Sequence, residues 1–195
     1  FYERALNRAR EYQYVRVIES TAQQAGWIRV RAGDGPGAVS LADESLRAAS
    51  MIGDNANEAD ALILGVAAYD LTGQHDVVED YATRALAIVD ARENVSPDVF
   101  GYLHGALALI RYREGNLDAA EAHTQHAQAF YSQTTDFDQM ALHASRMATI
   151  LEARGDTVTA CDHLGDAVAW YVLAANEDDT QAMRNRQATI GCSRG

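Results

Sequence analysis

Residues 69–86 read YDLTGQHDVVEDYATRAL, and the spacing of three residues inside that stretch decides the fold. Gly73 separates two helical patterns, Val78 follows it by five positions and Ala85 by twelve. The same offsets recur along the chain. Gly33, Gly73, Gly115, Gly155 and Gly195 are spaced 40, 42, 40 and 40 residues apart. Five residues after the first four stand Ala38, Val78, Ala120 and Ala160, and twelve after them Ser45, Ala85, Ala127 and Ala167. Self-similarity at a fixed period of this length is the mark of a repeat architecture.

Both ends of the chain keep the register. Forty residues before Ser45 lies Ala5, inside the opening phrase YERAL. Residues 143–155, HASRMATILEARG, return as 183–195, MRNRQATIGCSRG, where Arg146, Ala148, Thr149, Ile150, Arg154 and Gly155 match Arg186, Ala188, Thr189, Ile190, Arg194 and Gly195. The expectation is a segment of a longer protein, starting inside one helix and stopping at the end of another.

Each unit reads as two helices. In residues 57–73, Leu62, Val66, Tyr69 and Leu71 recur at mostly helical spacing. Gly73 then supplies the positive-φ residue that ends a helix. Val78, Tyr81, Ala85, Ile88 and Val89 form one stripe of the helix that follows. Alanine at the two fixed positions lets paired helices approach closely. The turns between units are polar: GDNANE, ENVSPD, TTDFD and NEDDT. The boundary at 7–16, NRAREYQYVR, has neither glycine nor proline, which predicts that two helices run together there. Asn94-Val-Ser96 matches a glycosylation sequon, which carries little weight without a secretory signal.

Composition excludes several classes. Hydrophobic residues make up 48% of the 195, enough for a buried core. The formal net charge is −12, and arginine supplies all 16 basic residues, so direct nucleic-acid binding is not expected. No apolar stretch approaches the ~20 residues of a membrane span. Cys161 and Cys192 are the only cysteines, too few for a disulfide framework, and are expected as reduced, buried thiols in a cytoplasmic protein.

The pattern resembles the tetratricopeptide repeat: glycine at the inter-helix turn, alanine five and twelve residues later, Leu46 or Leu86 beside the second alanine, and Tyr69 at the family's aromatic position. It departs from that family's usual 34-residue period, which predicts longer helices in each pair. The other reading is a generic helical array of another type, such as HEAT. The fold class implied is all-α, an α-solenoid of antiparallel helix pairs in a superhelix. It divides into the end of a preceding repeat at 1–10, repeats at 11–53, 54–93, 94–135 and 136–176, and the start of a further repeat or cap at 177–195.

No catalytic motif is evident. GDGPG at 33–37 lacks the Lys or Ser/Thr pair of a phosphate loop and coincides with a repeat turn. His123 and His126 lie three apart on one helix with Glu121 nearby. That spacing suits a metal, but no HExxH pattern or third ligand is evident. They read as a solvated face, His104 reads as a packing residue, and no tight zinc binding is expected. Asp178-Asp179 reads as solvated charge in a turn. No cofactor and no catalysis are expected.

The resemblance implies that first helices line a concave face. Its lining positions are Gln23, Trp27 and Arg31; Asp60, Ile63 and Asp70; Tyr102, Leu109, Tyr112 and Arg113; and Ser145, Thr149 and Glu152. Trp27, Tyr102 and Tyr112 beside Arg31 and Arg113 suit a protein or peptide ligand, since such residues dominate interface hot spots. Replacing Trp27 and Arg113 together is expected to weaken partner binding. The family's two-carboxylate clamp needs lysines that are absent here. The expected role is a binding scaffold or sensor region of a larger bacterial transcription regulator, with a structural subunit of a larger assembly as the alternative and a metal-dependent enzyme behind both.

Overall fold

Short polar side chains start most of the helices. The carboxylates of Asp34, Asp54, Asp136 and Asp156 and the amide oxygens of Asn116 and Asn176 each accept a hydrogen bond from a backbone N–H in the first turn of the helix that follows. This satisfies donors that the helix itself leaves orphaned. Glycine closes the turns inside the pairs: Gly33, Gly73, Gly115 and Gly155 all have φ between 70° and 82°, a region that costs other L-residues free energy.

A computed structural model describes residues 2–93 and 95–192. Phe1, the sequon residue Asn94, and Arg194 with the last register glycine, Gly195, lie outside the described residues. Among the described residues the protein is all-α, with ten helices and no strand. They form two compact units, 1–95 and 96–195. The first holds α1 (Tyr2–Glu11), α2 (Val15–Arg31), α3 (Gly35–Ile52), α4 (Asn55–Leu71) and α5 (His75–Asp90). The second holds α6 (Pro97–Arg113), α7 (Leu117–Tyr131), α8 (Phe137–Ala153), α9 (Thr157–Leu173) and α10 (Glu177–Ile190). Within each unit helices pack on their neighbours in sequence, and α2 also packs on α4.

The periodic positions are where the helices meet. Ala38, Ser45, Ala85, Ala120, Ala127, Ala160 and Ala167 are fully buried, and Val78 nearly so. In the first unit Trp27, Val30 and Val39 close over Ala38, Ala42, Leu64 and Ala68. Gly26 of α2 admits the Leu64 side chain of α4; a Cβ there would lie 2.6 Å from Leu64 Cδ2. Leu64 is fully buried, so Leu64→Ala removes packing from three helices and leaves a cavity. The expected loss is about 3 kcal/mol of unfolding free energy, read from the shift of a urea midpoint at constant m.

Three sequence expectations are corrected. The stretch 7–16 does not run through as one helix. The chain turns with Gln13 at φ 55°, and the exposed rings of Tyr12 and Tyr14 stack 5.8 Å apart across the turn. A non-glycine residue therefore takes the left-handed position, as Ala175 does between α9 and α10 at φ 57°. At the other end, α10 stops at Ile190 with Gly191 at φ 81°, short of the length that forty-residue matching to α8 predicts. Finally, Cys161 and Cys192 are not thiols but a disulfide, with Cα atoms 5.5 Å apart. The early stop of α10 is what lets Cys192 turn back onto α9.

Candidate functional site

Arginine in register organises the second unit. Arg146 of α8 donates to the Gly105 carbonyl of α6 at 3.2 Å, and forty residues on Arg186 of α10 donates to the Ser145 carbonyl of α8 at 3.4 Å. Each arginine ties a first helix of a pair to the preceding first helix. Arg186 also donates to Thr149 Oγ1 at 2.8 Å and pairs with Glu152 at 2.8 Å. The Ser145 hydroxyl is itself engaged, donating to the Leu142 carbonyl at 2.8 Å. Ser145, Thr149 and Glu152, expected to face a ligand, are thus held by α10 in an internal polar network.

Between α6 and α8 the same geometry leaves a cavity of about 140 Å³, lined by Ala108, Leu109, Tyr112, Thr124, Arg146, Thr149 and Ile150. Ala108, Leu109 and Ile150 make its lining largely apolar, Tyr112, Thr124, Arg146 and Thr149 are its polar residues, and the Thr124 hydroxyl is engaged, donating to the Ala120 carbonyl at 2.8 Å. Of the expected lining residues, Leu109, Tyr112 and Thr149 come together here. Tyr102 is half-buried on α6, and Arg113 is exposed in the last turn of that helix.

In the first unit the expected lining residues are dispersed. Trp27 is half-buried and packs on Ala38, Ala42, Leu64 and Ala68, so part of its ring is committed to the core. Gln23 hydrogen-bonds Asp60, whose carboxyl is held above the usual range by burial, with Arg92 and that hydrogen bond opposing. Ile63 is half-buried, while Arg31 and Asp70 are exposed at the ends of α2 and α4. A polar cluster absent from the sequence reading also stands here: the Tyr69 hydroxyl donates to both Asp43 carboxylate oxygens at 2.9 and 3.0 Å, and Tyr81 meets the Tyr69 ring edge-on at 5.4 Å.

The histidines are arranged differently from the sequence expectation. Antiparallel pairing of α6 and α7 brings His104 against His123, with their Nδ1 atoms 3.0 Å apart. His104 also meets His126 edge-on at 4.8 Å between ring centres. Phe130 stacks on His104 at 5.9 Å and Phe100 on Phe130 at 4.8 Å. Burial, then His126 and Arg111, lower the proton affinity of His123 and favour its neutral form. Glu121 is not part of the cluster; it pairs with Arg154 of α8.

No family model matches the sequence, and no curated protein matches it. Among solved structures the chain is similar in fold to the crystal structure of BtubC (BKLC) from P. vanneervenii, with a TM-score of 0.69 and 18% sequence identity over 100% of this chain and 91% of that chain. No helix among the described residues is long and apolar enough to cross a membrane.

Proposed function

We propose that this chain is a tetratricopeptide-like module that binds a peptide segment of a partner protein without catalysis, as a scaffold or sensor region of a larger bacterial transcription regulator. The observation that carries the reading is the apolar cavity between α6 and α8, with Leu109 and Tyr112 on one wall and Arg146 and Thr149 on the other. An apolar side chain of the peptide fills it, and Tyr112 supplies the rigid aromatic contact typical of interface hot spots. The exposed Val158, Val172 and Leu173 on α9 favour a second reading, a structural subunit covered on its second-helix side as well.

The proposal is tested with peptides selected from a random displayed library on the intact chain. Tyr112→Ala and Leu109→Ala are expected to weaken a selected peptide by about 1–2 kcal/mol each, with helical circular dichroism unchanged. Peptides whose affinity ignores both substitutions sink the assignment. A cytoplasmic location belongs to the same proposal, but the Cys161–Cys192 bridge favours an oxidising compartment. Mass spectrometry of alkylated protein taken directly from cells decides between them.

A further inference from the structure

We propose that His104, His123 and His126 form a binding site for one first-row divalent transition-metal ion, Zn²⁺ foremost. The expectation of no zinc site rested on the lack of a third ligand, and α6 supplies it. One nitrogen from each of the three rings can be chosen so that all lie within 4.8 Å of one another. Four-coordinate zinc, about 2.0–2.1 Å from imidazole nitrogen, spaces its ligands about 3.3 Å apart. The two Nδ1 atoms of His104 and His123, at 3.0 Å, already hold nearly that separation. His126 follows His123 by one helical turn and is exposed, so its ring closes the remaining gap by a side-chain rotation rather than a backbone shift.

The surroundings fix two of the three rings. Phe130 lies parallel to His104 and Phe100 lies parallel to Phe130, forming an aromatic stack on α6 and α7 that limits the rotation of His104. His123 is half-buried against the same pair of helices. Without the ion, one Nδ1 donates a hydrogen bond to the other; metal replaces that bond. The donor set contains three imidazoles and no carboxylate, which suits zinc, copper or nickel and disfavours magnesium and calcium. Arg111, whose charge acts against a cation at His123, also pairs with Glu114 at 2.8 Å. Three protein ligands leave one coordination position for water or for a donor from a partner.

The test uses the untagged 195-residue chain and ZnCl₂ alone, titrated in competition with a chromogenic chelator, with Co²⁺ absorption as the readout of geometry. One equivalent is expected to bind at or below about 10 μM, and Co²⁺ is expected to give tetrahedral bands. His126→Ala, at an exposed position, and His104→Gln should each weaken binding at least tenfold, while His75→Ala, on α5, should not. No binding in that range overturns the proposal, and so does binding that survives His126→Ala. Peptide binding that persists in His126→Ala separates failure of this site from failure of the α6–α8 cavity.

Discussion

Reducing the Cys161–Cys192 bridge, or replacing Cys192 by Ser, is expected to release α10 while leaving α8 and α9 folded. The bond spans 31 residues. Closing a loop of that length restrains the open chain by between about 3 and 4 kcal/mol in the chain-entropy account. Alpha-10 has little else to hold it. Thr180 is its one buried residue, and its apolar contribution is Met183 and Ile190 against Met147, Ala148, Leu151, Ala160 and Leu164. Arg186 adds its hydrogen bonds to α8. Amide exchange at 177–190 should accelerate toward unprotected rates on reduction, with protection across 137–173 retained. Equal protection of α10 in the oxidised and reduced protein would show that packing alone fixes the helix.

The second large effect is acid destabilisation through His143. Its ring is 1% exposed, stacks on Tyr131 at 5.2 Å between centres, and has a buried Nδ1 with no hydrogen-bond partner. Burial, with Arg146 adding to it, lowers the imidazole pKa to about 3 from its ordinary 6.5. The unfolded chain therefore takes up the proton first as pH falls. This group leaves stability unchanged well above pH 6.5 and removes about 1.4 kcal/mol per pH unit below it, on the order of 4 kcal/mol by the folded pKa. Carboxylates contribute their own acid slope, so the comparison is with His143→Phe, which keeps a ring on Tyr131 and does not titrate. Between pH 6.5 and 4.5 the wild-type protein should lose about 2 kcal/mol more than the variant in urea unfolding. Parallel pH profiles would mean that the ring accepts its proton without opening the fold.

The repeat was legible because it answers to local physics. A turn between paired helices needs positive φ, which glycine adopts without cost. A close helix crossing needs a small side chain, and alanine recurs where the helices touch. Both demands are met at fixed offsets, so Gly73, Val78 and Ala85 announce the pair they build, and the all-α class follows from residue spacing alone. Where the turn is held by a costlier residue, the signal fails. Gln13 and Ala175 take the left-handed conformation because the helices on either side fix the chain's direction there, and nothing in NRAREYQYVR says so.

The candidate sites depended on contacts that no local rule encodes. His104 and His123 are 19 residues apart in sequence, and only the antiparallel closure of α6 on α7 sets their nitrogens together. Cys192 reaches Cys161 because α10 ends at Gly191. Trp27 reads as a lining residue by position, and only the packing of α2 on α3 and α4 shows that part of its ring also covers the core. The sequence by itself determined the all-α class, the glycine-turned helix pairs and the small residues between them, since each is decided within one turn or one hairpin. The tertiary structure alone decided which side chains share a site, since that depends on how whole helices stack and on where each one stops.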